Sequence, residues 1–101
     1  MFRRLYWIAE QLNADGTSRI TGIYTSIQDL CHGGLQWSPN CNSKVIRLTL
    51  MKPDCFDQPL GSWVSPSFGD IATDMRTYVD SNEYTEEEVK LLISSIDAFV
   101  A

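Results

Sequence analysis

The sequence predicts an α+β fold: a small sheet of three strands, with room for a fourth, packed on one face by helices in the order β-β-α-β-α-α. Three observations carry this. Asp15-Gly16 sits between two runs rich in aromatic and β-branched residues, the strongest short-range hairpin signal. Residues 44–52, KVIRLTLMK, alternate with period two. Residues 84–100 open on a capping box and continue with an apolar stripe at helical spacing.

In chain order, 5–12 (LYWIAEQL) and 19–25 (RITGIYT) flank NADGTS. With Asp15-Gly16 as a two-residue turn, Trp7 lies opposite Tyr24, Ala9 opposite Gly22 and Gln11 opposite Ile20, which gathers one mostly apolar face. On the other face Ile8 pairs with Ile23 and Glu10 sits diagonal to Arg19. TSIQDLCHGGL then offers Thr25 or Ser26 as an N-cap and Ile27, Leu30 and Cys31 as one face of a short helix. Its end is marked by Gly33 or Gly34 in a left-handed C′ position, with His32 in the last turn and Leu35 folding back on the stripe.

The strand at 44–52 points Ile46, Leu48 and Leu50 one way and Arg47 and Thr49 the other. It can lie parallel to the first strand through a right-handed crossover or antiparallel to an edge of the hairpin; the sequence does not choose. Residues 53–66 hold three of the four prolines and read as a long irregular connection with a short extended piece at 62–64. FGDIATDMRTYV repeats Phe68, Ile71, Met75 and Tyr78 with Val79, one helical stripe with Asp70 in its first turn. In the last element Thr85 and Glu88 form the capping box and Tyr84 and Val89 a hydrophobic staple. Val89, Leu92, Ile93, Ile96 and Phe99 with Val100 line one face. The expected core includes Trp7, Tyr24, Ile46, Leu48, Leu50, Ile71, Met75, Leu92 and Ile96.

A chain of 101 residues is one domain, large enough to bury roughly two-thirds of its unfolded surface. Its 44% hydrophobic and 21% charged content is that of a globular protein. Only five uncharged residues follow Arg3-Arg4, far short of an export signal or a membrane span. The expectation is a cytoplasmic protein with no membrane partner, and three cysteines, an odd number, fit reduced thiols better than a disulfide framework. The net charge of -5 is unevenly spread. Residues 1–52 carry six Lys or Arg against three acids, and 53–101 carry two against ten.

No cluster of chemically active residues spells a reaction motif. Cys31 and His32 are neighbours, about 100° apart on a helix, so they cannot form a nucleophile and base pair. Cys31, His32, Cys41 and Cys55 lack the C-x₂₋₄-C knuckle of a zinc site. Asp54 and Asp57 read as turn formers, and HGG has neither the P-loop lysine nor the third glycine of a dinucleotide fingerprint. The expectation is therefore no catalysis, no cofactor and no metal.

Trp37 and Trp63 recur in similar loop segments, GLQWSP and GSWVSP. They read either as amphipathic caps on the edges of a thin core or as an aromatic contact surface. The expected function is a small interaction or regulatory module that binds a protein partner or itself, a homodimer included, through a surface drawn from Trp37, Trp63, Ile8, Ile23, Arg19 and Arg47. Two alternatives stand beside it. One is a small-ligand site or minor enzyme between the 53–66 loop and the sheet, lined by Trp63, Asp57 and Cys55. The other, less favoured, is nucleic-acid binding through a sheet face bearing Arg3, Arg4, Arg19, Lys44, Arg47 and Lys52 around Tyr6, without any RNP1-type pattern.

Overall fold

Three consecutive aromatic or β-branched residues, Tyr6, Trp7 and Ile8, open β1 (Tyr6–Leu12), a strand that pairs on both flanks. In the computed structural model, which describes residues 5–35, 45–52, 58–65 and 67–100, β1 pairs antiparallel with β2 (Ser18–Tyr24) and with β3 (Ile46–Met51). The extended piece at 62–64 belongs to a fourth strand, β4 (Gly61–Val64), antiparallel to β3. The sheet order is β2-β1-β3-β4. Of the two placements open to the third strand, the chain takes the antiparallel one, against the hairpin's free edge.

The hairpin departs from a two-residue turn. The Gly16 amide donates to Asn13 O (3.1 Å) and the Asn13 amide to Thr17 O (2.9 Å), so Ala14, Asp15 and Gly16 form a three-residue loop. Gly16 takes φ +88°, which its missing side chain permits. Asp15 Oδ1 accepts from the amide (3.0 Å) and the hydroxyl (2.6 Å) of Thr17 and pins the tip. A second departure follows. Ala9 pairs with Gly22 but Glu10 with Ile20, leaving Thr21 as a bulge whose hydroxyl donates to Ala9 O (3.2 Å). The two irregularities cancel near Trp7, where the expected pairs Trp7–Tyr24, Ile8–Ile23 and Ala9–Gly22 all occur. Beyond the bulge the register slips by one, so Gln11 faces Arg19 rather than Ile20.

Two rows of side chains cross the inner face of the sheet: Gly22, Ala9, Leu48, Trp63 and, beside them, Tyr24, Trp7, Leu50, Gly61. Large residues in one row meet small ones in the other along each edge strand. The Tyr24 ring lies where a Cβ on Gly22 would stand, and the Trp63 indole where one on Gly61 would. Over this face pack the helices. Ser26 caps α1 (Ile27–Asp29) by accepting from the Asp29 amide at 3.1 Å. The chain then winds into a π-helical turn, Leu30–Gly34, closed by the Leu35 amide on Leu30 O at 3.0 Å. Gly33 is not in the left-handed conformation; its missing Cβ makes room for the Tyr24 ring instead. Leu30, Cys31 and Leu35 are buried as the stripe requires.

The helix expected over the Phe68 to Val79 stripe is broken in two, α2 (Ile71–Asp74) and α3 (Arg76–Asp80), on either side of Met75. Thr73, Asp74 and Thr77 are poor helix formers, and Met75 is fully buried while Tyr78 and Val79 are only half-buried. Packing therefore governs the segment. Asp70 stands at the N-cap position rather than in the first turn. Phe68, at φ +49°, turns its ring into the core, edge-on to Phe99. α4 (Glu86–Val100) begins as expected: the Thr85 amide donates to Glu88 Oε1 (2.9 Å) and the Glu88 amide to Thr85 Oγ1 (3.2 Å). Tyr84, Val89, Leu92, Ile96 and Phe99 are buried.

The expected core residues are buried, with Tyr24 half-buried at its margin. At their centre Trp7 is 0% exposed, its Nε1–H donating to Tyr84 Oη at 3.1 Å. Replacing Tyr84 by Phe should therefore cost about 1–3 kcal/mol in urea unfolding, because the indole N–H is left buried without an acceptor. Burial pushes the Tyr84 phenol from its ordinary 10 to about 12. A folded-state value above the unfolded one means stability that is whole below pH 10 and lost as pH rises through 12. Wild type should thus lose stability across that window more steeply than Tyr84→Phe. Gly61→Ala, against the buried Trp63, should cost about 1–3 kcal/mol; Gly22→Ala should cost less, since half-buried Tyr24 can swing outward.

Candidate interaction face

Alternation along four strands sends every second side chain to the outer face, where the described residues place no helix. Two ranks cross it. Ile23, Ile8, Thr49 and Ser62 form one, and Ile20, Glu10, Arg47 and Val64 the other. Ile20 and Ile23 are 56% and 60% exposed and Val64 39%, an unusual outlay of large aliphatic surface for a small domain. At one end Tyr6 pairs with Met51, which is buried.

The second rank holds an ion pair at its middle. Arg47 Nε donates to Glu10 Oε1 (3.1 Å) and Nη2 to Oε2 (2.9 Å), a two-pronged contact between directly opposed residues. The Arg47 guanidinium, assisted by the Ser18 hydroxyl, holds the Glu10 carboxyl below its ordinary range against the opposing effect of burial. Glu10 in turn raises Arg47 further. The pair closes on itself, so the face shows aliphatic groups around a neutral dipole.

The sequence-predicted surface residues fall on different sides. Ile8, Ile23 and Arg47 share the outer face. Arg19 does not: the bulge pairs it with Gln11, on the side of the sheet that carries Trp7 and Ala9, and brings Ile20 to the outer face in its place. Trp63 is on the inner face, 6% exposed, 5.6 Å from Trp7, its Nε1–H donating to Asp74 Oδ2 at 2.8 Å. Its indole is thus part of the core. Trp37 lies outside the described residues. Ile20 and Val64 lie beyond what alternation alone predicts for this face: the first reaches it through the bulge, for which Gly22 inside a strand is the signal, the second because the extended piece at 62–64 is part of a paired fourth strand.

The other chemistries find these placements. Arg47, which phosphate binding would need, is already held by Glu10, and Arg3, Arg4 and Lys44 lie outside the described residues. A shallow groove of about 430 Å³ runs beside β4, lined by Leu60, Gly61, Ser62, Trp63, Asp74, Thr77 and Tyr78. Its carboxylate is engaged by Trp63, and Cys55 and Asp57, expected to line it, lie outside the described residues, as do Asp54 and Cys41. Burial pushes the Cys31 thiol up, away from the thiolate; its Sγ is 3.9 Å from Leu91 O, while His32 is exposed. Among the described residues no three His, Cys, Asp or Glu side chains gather as a metal site, and no helix is long and apolar enough to cross a membrane. Comparison with known proteins finds no family model, curated protein or solved structure that matches the chain.

Because the Glu10 carboxyl is held low in the folded state, the pair's contribution to stability is present above the ordinary carboxyl value of 4.5 and is lost as pH falls through the folded value. Arg47→Ala should cost about 1 kcal/mol at neutral pH, the pair being partly solvated. Chemical unfolding followed from pH 7 into acid should show that difference shrinking.

Proposed function

We propose that the protein is a non-catalytic interaction module that docks a protein surface, another protein or a second copy of itself, on the outer face of its sheet. One observation carries the reading: Ile8, Ile20, Ile23 and Val64 surround a self-neutralised ion pair on a sheet whose opposite face is filled by the core. Such a surface has the make-up of an interface centre, apolar with its charges already matched. A cytoplasmic setting is part of the proposal, with the odd number of cysteines, three, for its support. The groove beside β4 supports a small-ligand reading less well, because its one carboxylate already has a partner.

The test is capture from native lysate on wild type, on Ile20→Glu/Ile23→Glu, and on Thr77→Ala in the groove. Since the isoleucines are exposed, the double variant should keep its far-UV circular dichroism. A specific partner should be retained by wild type and Thr77→Ala and lost by the double variant. Equal retention by the double variant, or loss with Thr77→Ala, would sink the reading.

A further inference from the structure

Resting on that reading, we infer that the outer face stacks against the same face of a second copy, about a two-fold axis lying in the contact plane and running along the strands between β1 and β3. Charge favours this occupant. The four strands carry three charged residues, Glu10, Arg19 and Arg47, and the bulge turns Arg19 to the other side, so the face itself is neutral. The acidity lies elsewhere: residues 67–100 hold eight Asp or Glu against two Lys or Arg. Two copies meeting through their helical layers would set these charges against each other. Meeting sheet to sheet places both layers outward, separated by two sheets and well beyond the screening length of about 8 Å at physiological salt.

The rank Ile20–Glu10–Arg47–Val64 supplies the register. The proposed axis reverses its order in the opposing copy, so Glu10 of one chain lies over Arg47 of the other and Ile20 over Val64. The two dipoles run antiparallel, and the aliphatic ends of the rank meet each other. Aligned sheet packing of this kind is the geometry of β-sandwiches, and the contact is isologous, so it closes at two copies. A face four strands wide and two ranks deep falls below about 1,200 Å² for the pair, which makes the dimer a reversible one.

Sedimentation velocity on the purified chain tests this from about 10 μM to about 1 mM, the range that suits so small a contact. Expected is a concentration-dependent monomer–dimer equilibrium, little changed by added salt. Ile20→Glu and Val64→Glu, on opposite edges of the sheet, should each weaken it about tenfold or more by burying a carboxylate, while Thr77→Ala leaves it unchanged. The exchange Glu10→Arg/Arg47→Glu keeps the pair within a chain. By energy transfer between labelled copies, it should dimerise with itself but mix poorly with wild type. Free mixing, a dimer indifferent to both Ile20→Glu and Val64→Glu, or association that collapses with salt as a head-to-tail contact would: each of these overturns the inference. A monomer at every concentration also overturns it, and then a partner captured in an Ile20- and Ile23-dependent way would assign the face to a different protein.

Discussion

The hydrogen bond from the Trp7 indole to the Tyr84 phenol is the constraint around which the molecule is arranged. An indole at the centre of a four-stranded sheet contributes large apolar area but brings an N–H that has no place in a dry core. The acceptor comes from the residue just before the cap of α4, so satisfying Trp7 also fixes where that helix starts over the sheet. The neighbouring indole makes the same demand of a different helix: Trp63 donates to Asp74 at the end of α2. Two tryptophans 5.6 Å apart thus tie the sheet to the end of α2 and the start of α4. Bulky rings at these positions require small residues beside them, which is why Gly22 and Gly61 stand two places before Tyr24 and Trp63 on the edge strands.

The outer face is the reverse of this arrangement. Period-two alternation that turns Trp7, Leu48 and Leu50 inward turns Ile8, Glu10, Arg47 and Thr49 outward. Nothing in the core depends on the outward set, yet it is neither uniformly polar nor randomly mixed. Its two charges face each other across β1 and β3 and satisfy one another, so desolvating them leaves no orphan charge. A surface of this kind can be covered at small electrostatic cost.

Elements defined by local patterning were legible in the sequence. Alternation in β3 and the capping box of α4 each have a single physical solution, and both appear as read. Burial of Leu48, Leu50, Leu92 and Ile96 follows from the same periodicities. The misreadings fall where packing outweighs local preference. Met75 interrupts a stripe that periodicity alone would make one helix. Gly33 is there for the Tyr24 ring, and a close approach between residues 9 apart leaves no mark on local pattern. The hairpin shows a subtler failure: Trp7, Ile8 and Ala9 receive their expected partners because a loop one residue longer and a bulge offset each other. Only Arg19 and Ile20 reveal the difference, by exchanging faces. Of the candidate face, Ile8, Ile23 and Arg47 could be read from alternation; Ile20 needed the bulge and Val64 the fourth strand.

The bulge at Thr21 has one more effect. β2 lies at the edge of the sheet and its sequence, SRITGIY, is the kind of β-branched, aromatic segment that templates fibrils when it is flat and regular. The extra residue and Gly22 interrupt that ladder midway, so an incoming strand of another molecule meets two short, mismatched registers instead of one continuous edge. The irregularity that exposes Ile20 on the broad face therefore guards the narrow one against runaway polymerisation.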